Sequence, residues 1–370
     1  MQPIFSLTQN QRTLLDLIRR RGPILRAALT DQTDLSQQSI HRLVGQLIDL
    51  ELLYIEPGPP TGPGKPSPRV SVKADAAYAL GLLVNTDAAV LCLVDLSCRL
   101  VAERRLPMNM SSRAQALPII RAEADRLISE VGIDRARLCG MGFTMPGYFA
   151  APRCFNAPEP LRDWSLVDLT AELKALFELE VFLENSATAG AIGEALTGVG
   201  RDVASFAYLA FDYGFGGGIV IDGTAMTGHN GNAGEFSTIF TGPGEDADRP
   251  ALNPLVRILR THGVDVAGVE DLRQRFDPNW PGVTTWIDKI MPQLDRIVVG
   301  LHGILDPEAI VFGGQIPPKL AEMLIARVRF PNRSRYDAGL PLPRLLACSA
   351  NGEPAATGAA LKALKAHFFL

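Results

Sequence analysis

Asp-Tyr-Gly-Phe-Gly-Gly-Gly-Ile-Val-Ile-Asp-Gly, at 212–223, is the stretch on which the fold turns. Its glycine run invites comparison with a phosphate-binding loop. Dinucleotide folds and P-loops, however, feed such a loop directly into a helix whose N-terminus holds the phosphate. Here the apolar, β-branched run Ile219-Val220-Ile221 follows, and then an Asp-Gly turn. The plainer reading is a glycine-rich hairpin between two strands.

Outward from that hairpin, apolar strand-like runs and helical patterns alternate. Strands are expected at 78–85, 90–96, 138–143, 181–183, 206–211, 218–221 and 310–312. Between them, helices are expected at 114–131, 166–176, 187–196, 254–259, 286–305 and 355–367. This is an α/β pattern that predicts a body of two lobes.

The first 73 residues differ in kind. They carry nine Lys/Arg and six Asp/Glu, a net of +3, which leaves −7 for the rest of a chain whose total is −4. Helices are expected over 8–20 and, shorter, over 26–31. The third helix is the clearest. Ser36 can cap it, and Ile40, Leu43, Val44, Leu47 and Ile48 repeat at the spacing of one buried face.

Its other face carries Gln37, Gln38, His41, Arg42 and Gly45, with Ser39 beside them. A short apolar strand, a Pro/Gly loop at 56–68 that holds Lys65, and Arg-Val-Ser-Val follow. This order predicts a winged helix-turn-helix. In that arrangement a polar helix start enters the major groove of double-stranded DNA, where Gln reads adenine and Arg reads guanine, while a basic wing touches phosphate. A charge of only +3 is weak for a monomer, so a homodimer or higher oligomer on two half-sites is expected.

At 370 residues, with 47% apolar and 21% charged, the chain is long enough for two or three cored units. No apolar run reaches the roughly 20 residues that span a bilayer, and the start lacks a leader pattern, so a cytoplasmic protein without membrane association is expected. Five cysteines without a C-x-x-C pair predict reduced thiols and no thiolate metal site.

In motif order the chain resembles the ROK family (repressor, open reading frame, kinase), in particular its transcriptional repressor branch. The matching segments are Gly142-Phe143-Thr144-Met145-Pro146-Gly147, Glu184-Asn185 with the Ala-rich stretch after it, and the 214–223 run. Further on come Gly231-Asn232-Ala233-Gly234-Glu235 and 306–314, and near the start Arg26 follows Gly22-Pro23-Ile24. The resemblance implies a winged helix at 1–73, then an actin-like, sugar-kinase-like (ribonuclease H-like) body with lobes at 74–185 and 186–370. A return of the C-terminal helix to the first lobe is compatible with that division.

Departures from the family pattern carry the functional expectation. Where family kinases have Asp-x-Gly-x-Thr in a phosphate turn, this chain has Leu83, Asn85 and Asp87. Where they have a catalytic Asp, it has Ser186, far too weak a base at neutral pH when general-base help is commonly worth about 10²–10⁴-fold. Asp212-Tyr213 replaces the usual Gly-Thr of the second phosphate turn. Thr238 stands where many members have a zinc-binding His, and the downstream cysteine cluster is missing, so neither metal nor other cofactor is expected.

The resemblance further implies that Asn185 and Glu235 bind hydroxyls of a sugar or sugar derivative. Ser186 and Thr238 would be weaker substitutes for lost groups, with Gly147, Asn156, and His229 or Asn230 nearby. The expected function is a sequence-specific DNA-binding regulator, a repressor by preference, without catalytic residues. The alternatives are an ATP-dependent sugar kinase with an appended helical domain, and a regulator whose ligand pocket has decayed.

Overall fold

A computed structural model describes residues 6–58, 68–239, 248–331 and 339–369. The chain opens with helix Gln9–Arg21. Thr8 and Gln11 cap it reciprocally: the Thr8 Oγ1 accepts from the Gln11 amide and the Gln11 Oε1 accepts from the Thr8 amide. A short 3-10 helix, Ala27–Gln32, takes the place of the second expected helix.

Helix Gln37–Asp49 follows, with the Ser36 Oγ accepting from the Ser39 amide at 3.2 Å and Ile40, Leu43, Val44 and Leu47 buried. Strands Ile24–Leu25, Leu53–Glu56 and Arg69–Val72 form the small sheet of the wing, with the last of them central. Lys65 lies outside the described residues.

Each lobe of the body is built on one five-stranded sheet. In the first, strands Tyr78–Val84, Ala88–Asp95 and Leu100–Pro107 form an antiparallel meander, and Leu138–Met145 and Val181–Asn185 add in parallel beside Tyr78–Val84. The second repeats that order with Phe206–Phe211, Phe215–Ile221, Thr224–Met226, Ala309–Gly314 and Arg344–Ala347. The glycine run is thus a strand, paired antiparallel with Phe206–Phe211. A turn at 212–214 joins the two, so the hairpin is present but tighter than the expected strands at 206–211 and 218–221 imply, with Gly216 to Gly218 inside the strand.

Ala88–Asp95 is buried along its whole length because both faces of its sheet are covered. Leu91 and Leu93 pack with helix Arg113–Val131, whereas Val90, Cys92 and Val94 pack with the C-terminal helix Pro354–Phe368. That helix comes close because its neighbours lack side chains. A Cβ on Gly142 would lie 1.8 Å from the Ala359 carbonyl oxygen, and one on Gly81 would lie 2.2 Å from that of Ala356.

Its other side meets helix Ser186–Thr197 in the same way: a Cβ on Gly358 would sit 1.8 Å from the Ala189 oxygen. Helix Ser186–Thr197 in turn packs on the second sheet, where Gly218 faces Ala191. Two small-residue helices therefore join the lobes. The winged helix docks on the same structure, with the Arg19 guanidinium 5.0 Å from the centre of the Phe369 ring.

Among the described residues, no helix is long and apolar enough to cross a membrane. All five cysteines are free.

Candidate functional site

The cleft between the lobes begins where strand Val181–Asn185 becomes helix Ser186–Thr197. Asn185 makes that transition. Its Oδ1 accepts from the amides of Ala187 (2.8 Å) and Thr188 (3.3 Å), capping the helix, and its Nδ2 donates to the Gly147 carbonyl. Gly147 has φ +126°, and a Cβ there would lie 2.5 Å from the Asn156 oxygen, so this turn requires glycine.

Glu184 is buried beneath. It accepts from the Asn185 amide at 3.0 Å and pairs with the Lys362 Nζ at 2.7 Å, fixing the strand end to the C-terminal helix. Ser186 is also buried.

The opposite wall is 231–235. Asn232 reaches across to the first lobe, accepting from the Phe149 amide at 2.8 Å and donating to the Phe149 carbonyl at 2.9 Å. Glu235 follows, half-buried, with its Oε1 accepting from the Ser237 hydroxyl. Burial raises its pKa, while Ser237 and the charge of Arg249 pull it back down. Thr238 donates to the Glu235 carbonyl at 2.9 Å.

Tyr148, Asn232, Glu235, Phe236 and Thr238 line an open cavity of about 450 Å³, the volume of a small-ligand pocket. Tyr148 was not legible as a site residue. Its oxygen accepts from the Asn156 Nδ2 at 2.6 Å, which leaves its own O–H to donate into the cavity.

Of the expected residues, Glu235 and Thr238 line the cavity, and Asn156 supports Tyr148. The Asn185 amide is engaged in the turn that Gly147 completes. His229 lies on an exposed turn and does not line the cavity, whereas Asn230 lines a neighbouring one of about 330 Å³.

The expected phosphate turns lie at the other end of the cleft. Leu83 is buried in its strand. The Asp87 Oδ2 accepts from the Glu270 amide at 2.9 Å and so caps helix Val269–Arg275 of the second lobe. Burial raises the pKa of this carboxylate, and the bond from Glu270 opposes the shift.

Arg105, on the first lobe's edge strand, bridges Glu270 (2.8 Å) and Glu353 (2.5 Å). Both carboxylates are buried, and Glu103 accepts from the Glu353 amide at 2.6 Å. Acidic and basic groups of both lobes thus hold each other across this end of the cleft.

Asp212 lies nearby in charge terms. Burial, reinforced by the Glu353 carboxylate, pushes it from 3.8 up to about 7, while a bond from the Gln315 amide opposes the shift. Between those values the folded protein holds a proton that the unfolded chain has released. Its contribution to stability is therefore present at low pH, falls as pH rises through that window, and is constant above it. Asp212→Asn keeps an acceptor for Gln315 and is expected to flatten this slope relative to the parent chain. Denaturant midpoints at pH 5 and pH 8 read the difference; parallel profiles for parent and variant would contradict it.

On the winged helix, Gln37, Gln38, His41 and Arg42 are exposed, Ser36 forms the exposed cap and Ser39 is half-exposed. Arg26 begins the 3-10 helix, half-buried, with its Nε unpartnered. Among the described residues, no group of three His, Cys, Asp or Glu is placed to hold a metal ion.

Comparison with known proteins places these features in context. Residues 80–244 match the model described as the ROK family. The chain is 26% identical over 341 residues to the uncharacterized protein y4fQ of Sinorhizobium fredii, covering 90% of this chain and 85% of that protein. To the xylose repressor of Bacillus subtilis it is 26% identical over 238 residues, which span 63% of this chain and 62% of the repressor. Among solved structures, a ROK family transcriptional regulator, a homolog of the E. coli MLC protein, superposes with a TM-score of 0.71 at 19% identity and 96% coverage of both chains.

Proposed function

We propose that this chain, whose residues 80–244 match the ROK family model, is a DNA-binding transcriptional regulator, a repressor whose body senses a sugar or sugar derivative and transfers no phosphate. One observation carries the reading: a winged helix with an exposed polar helix start is docked on a kinase-like body whose phosphate end is bridged by Asp87 and Arg105.

In this reading Gln38 and Arg42 read base edges in the major groove, with Gln37, Ser39 and His41 beside them. Arg26 and Lys65 contact phosphate, and two copies of the chain occupy two half-sites in the cytoplasm. The sugar lies in the 450 Å³ cavity. There the Glu235 carboxylate accepts from sugar hydroxyls, the Tyr148 O–H donates to them, and the Thr238 hydroxyl oxygen accepts from them. Asn185, Gly147 and Asn156 set the wall.

A ligand touching both lobes favours one degree of closure, and it shifts the population only by its differential affinity for that state. The Gly147 turn is tied to Asn185, which caps the helix packed on Pro354–Phe368, on which the winged helix rests. Closure and reader position share this small-residue packing.

The test is a thermal-denaturation panel of pentoses, hexoses, N-acetylhexosamines and their phosphates, run on the full chain beside a coupled ADP-release assay. The true ligand at 100 times its Kd is expected to stabilise by about 2.7 kcal/mol, and Glu235→Ala to abolish that gain. A panel without any stabilising sugar would discard the sensing role. ADP release dependent on a sugar would discard the non-enzymatic one.

A further inference from the structure

The winged helix meets the body along a groove of about 750 Å³. Five arginines line it. Arg19 and Arg20 are held by Asp16, each with a 2.8 Å contact. The other three are exposed and come from three different places: Arg21 ends the first helix, Arg99 lies in the turn before strand Leu100–Pro107, and Arg201 closes a short 3-10 helix, Val199–Arg201, in the second lobe. Among the described residues, none of these three guanidinium groups has a carboxylate within ion-pair distance, and Asp222 is the one acid lining the groove.

Basic residues in the last turn of a helix complement its dipole, which accounts for Arg19, Arg20 and Arg21. It does not account for Arg99 and Arg201, which belong to other elements yet face the same space. A second cavity of about 170 Å³ shares Arg19 and Arg20 with the groove and extends to Phe369; Ile192, Leu196 and Leu361 line it, and its two acids, Asp16 and Glu184, are paired with Arg19 and Arg20 and with Lys362. Unpaired guanidinium groups in the groove, beside a cavity lined by Ile192, Leu196 and Leu361, suit a small organic anion. Two negative charges on one molecule would satisfy guanidinium groups that cannot satisfy one another.

We propose that this groove is a second ligand site, distinct from the sugar cavity, that takes a small dianion, either a phosphate ester or a dicarboxylate. Its walls belong to the winged helix and to both lobes, so occupation fixes the reader against the body. By linkage, operator affinity and dianion affinity must then change each other by the same factor.

The test is calorimetric titration of the full chain, without DNA or sugar, at low ionic strength. Inorganic pyrophosphate and succinate serve as probes, and the tighter of the two identifies the source chemistry. Saturable binding is expected for the parent chain. Arg99→Ala/Arg201→Ala is expected to weaken it at least about tenfold, equivalent to about 1.4 kcal/mol, and Arg21→Gln, at an exposed helix end, to weaken it independently. Binding should also weaken as salt is raised.

Equal affinity in parent and variants, or no saturable binding of either probe, overturns the proposal. So does a loss of operator affinity by the double variant in the absence of any dianion, which would mark these arginines as contacts to DNA phosphate.

Discussion

Replacing Arg105 by methionine is expected to destabilise the protein by about 3–5 kcal/mol, the cost of removing one partner from a buried ion pair. Arg105 joins Glu270 of the second lobe to Glu353, at the start of the C-terminal helix, at 2.8 and 2.5 Å. Methionine preserves most of the apolar stem but leaves two buried carboxylates without a counter-charge, beside a third, Glu103, whose pKa burial already raises. An uncompensated buried charge is worse than a well-packed neutral group.

Adding Glu270→Gln and Glu353→Gln to Arg105→Met should therefore recover much of the loss, because the charges that made the arginine necessary are gone. Denaturant midpoints of the single and triple variants measure both effects. A loss below about 1 kcal/mol for the single change, the value for an exposed pair, would show that this end of the cleft opens to water and is no clasp.

That clasp also marks where reading the sequence runs out. Short-range signals were legible: the Ser36 cap and the Ile40, Leu43, Val44, Leu47 face depend on residues within one or two turns. So was the glycine hairpin, since the strand residues Ile219 to Ile221 decide it locally. Strand Leu100–Pro107 was not, because an edge strand reading Leu-Val-Ala-Glu-Arg-Arg-Leu-Pro is only half-buried and shows no apolar run. The expected helix at 166–176 begins only at Thr170. Leu166 is in a left-handed conformation, and the Asp168 side chain accepts from the Thr170 amide, which starts the helix later.

Site residues divide on the same principle. Glu235 and Thr238, which the family resemblance proposed, are among the residues lining the candidate cavity. Tyr148 and Asn232 matter because chains far apart in sequence meet: Asn232 bonds to Phe149, and Arg105 to Glu353. No local pattern encodes those partners. The cluster Ala355-Ala356-Thr357-Gly358-Ala359-Ala360 reads as helix from its composition, but its small residues are explained only by the strand and helix backbones it touches on two sides.

The largest functional effect is expected at the exposed start of helix Gln37–Asp49. Arg42→Ala or Gln38→Ala removes a side chain that is exposed and has no partner among the described residues, so folding should be unchanged. A good bidentate contact to a base edge is worth about 1–3 kcal/mol. In a dimer on two half-sites each substitution acts twice, so operator affinity should fall by about 2–6 kcal/mol, or roughly 30-fold to more than 10⁴-fold.

Affinity for unrelated duplex should fall far less, because phosphate contacts made elsewhere supply it. Ser36→Ala provides the contrast. It removes the cap, so its effect on DNA binding should come with a stability loss of about 1 kcal/mol. Gel-shift titration on a selected operator and on scrambled duplex separates these outcomes. If both duplexes weaken equally with Arg42→Ala, the residue touches phosphate rather than a base; if neither does, the reading surface lies elsewhere on the winged helix.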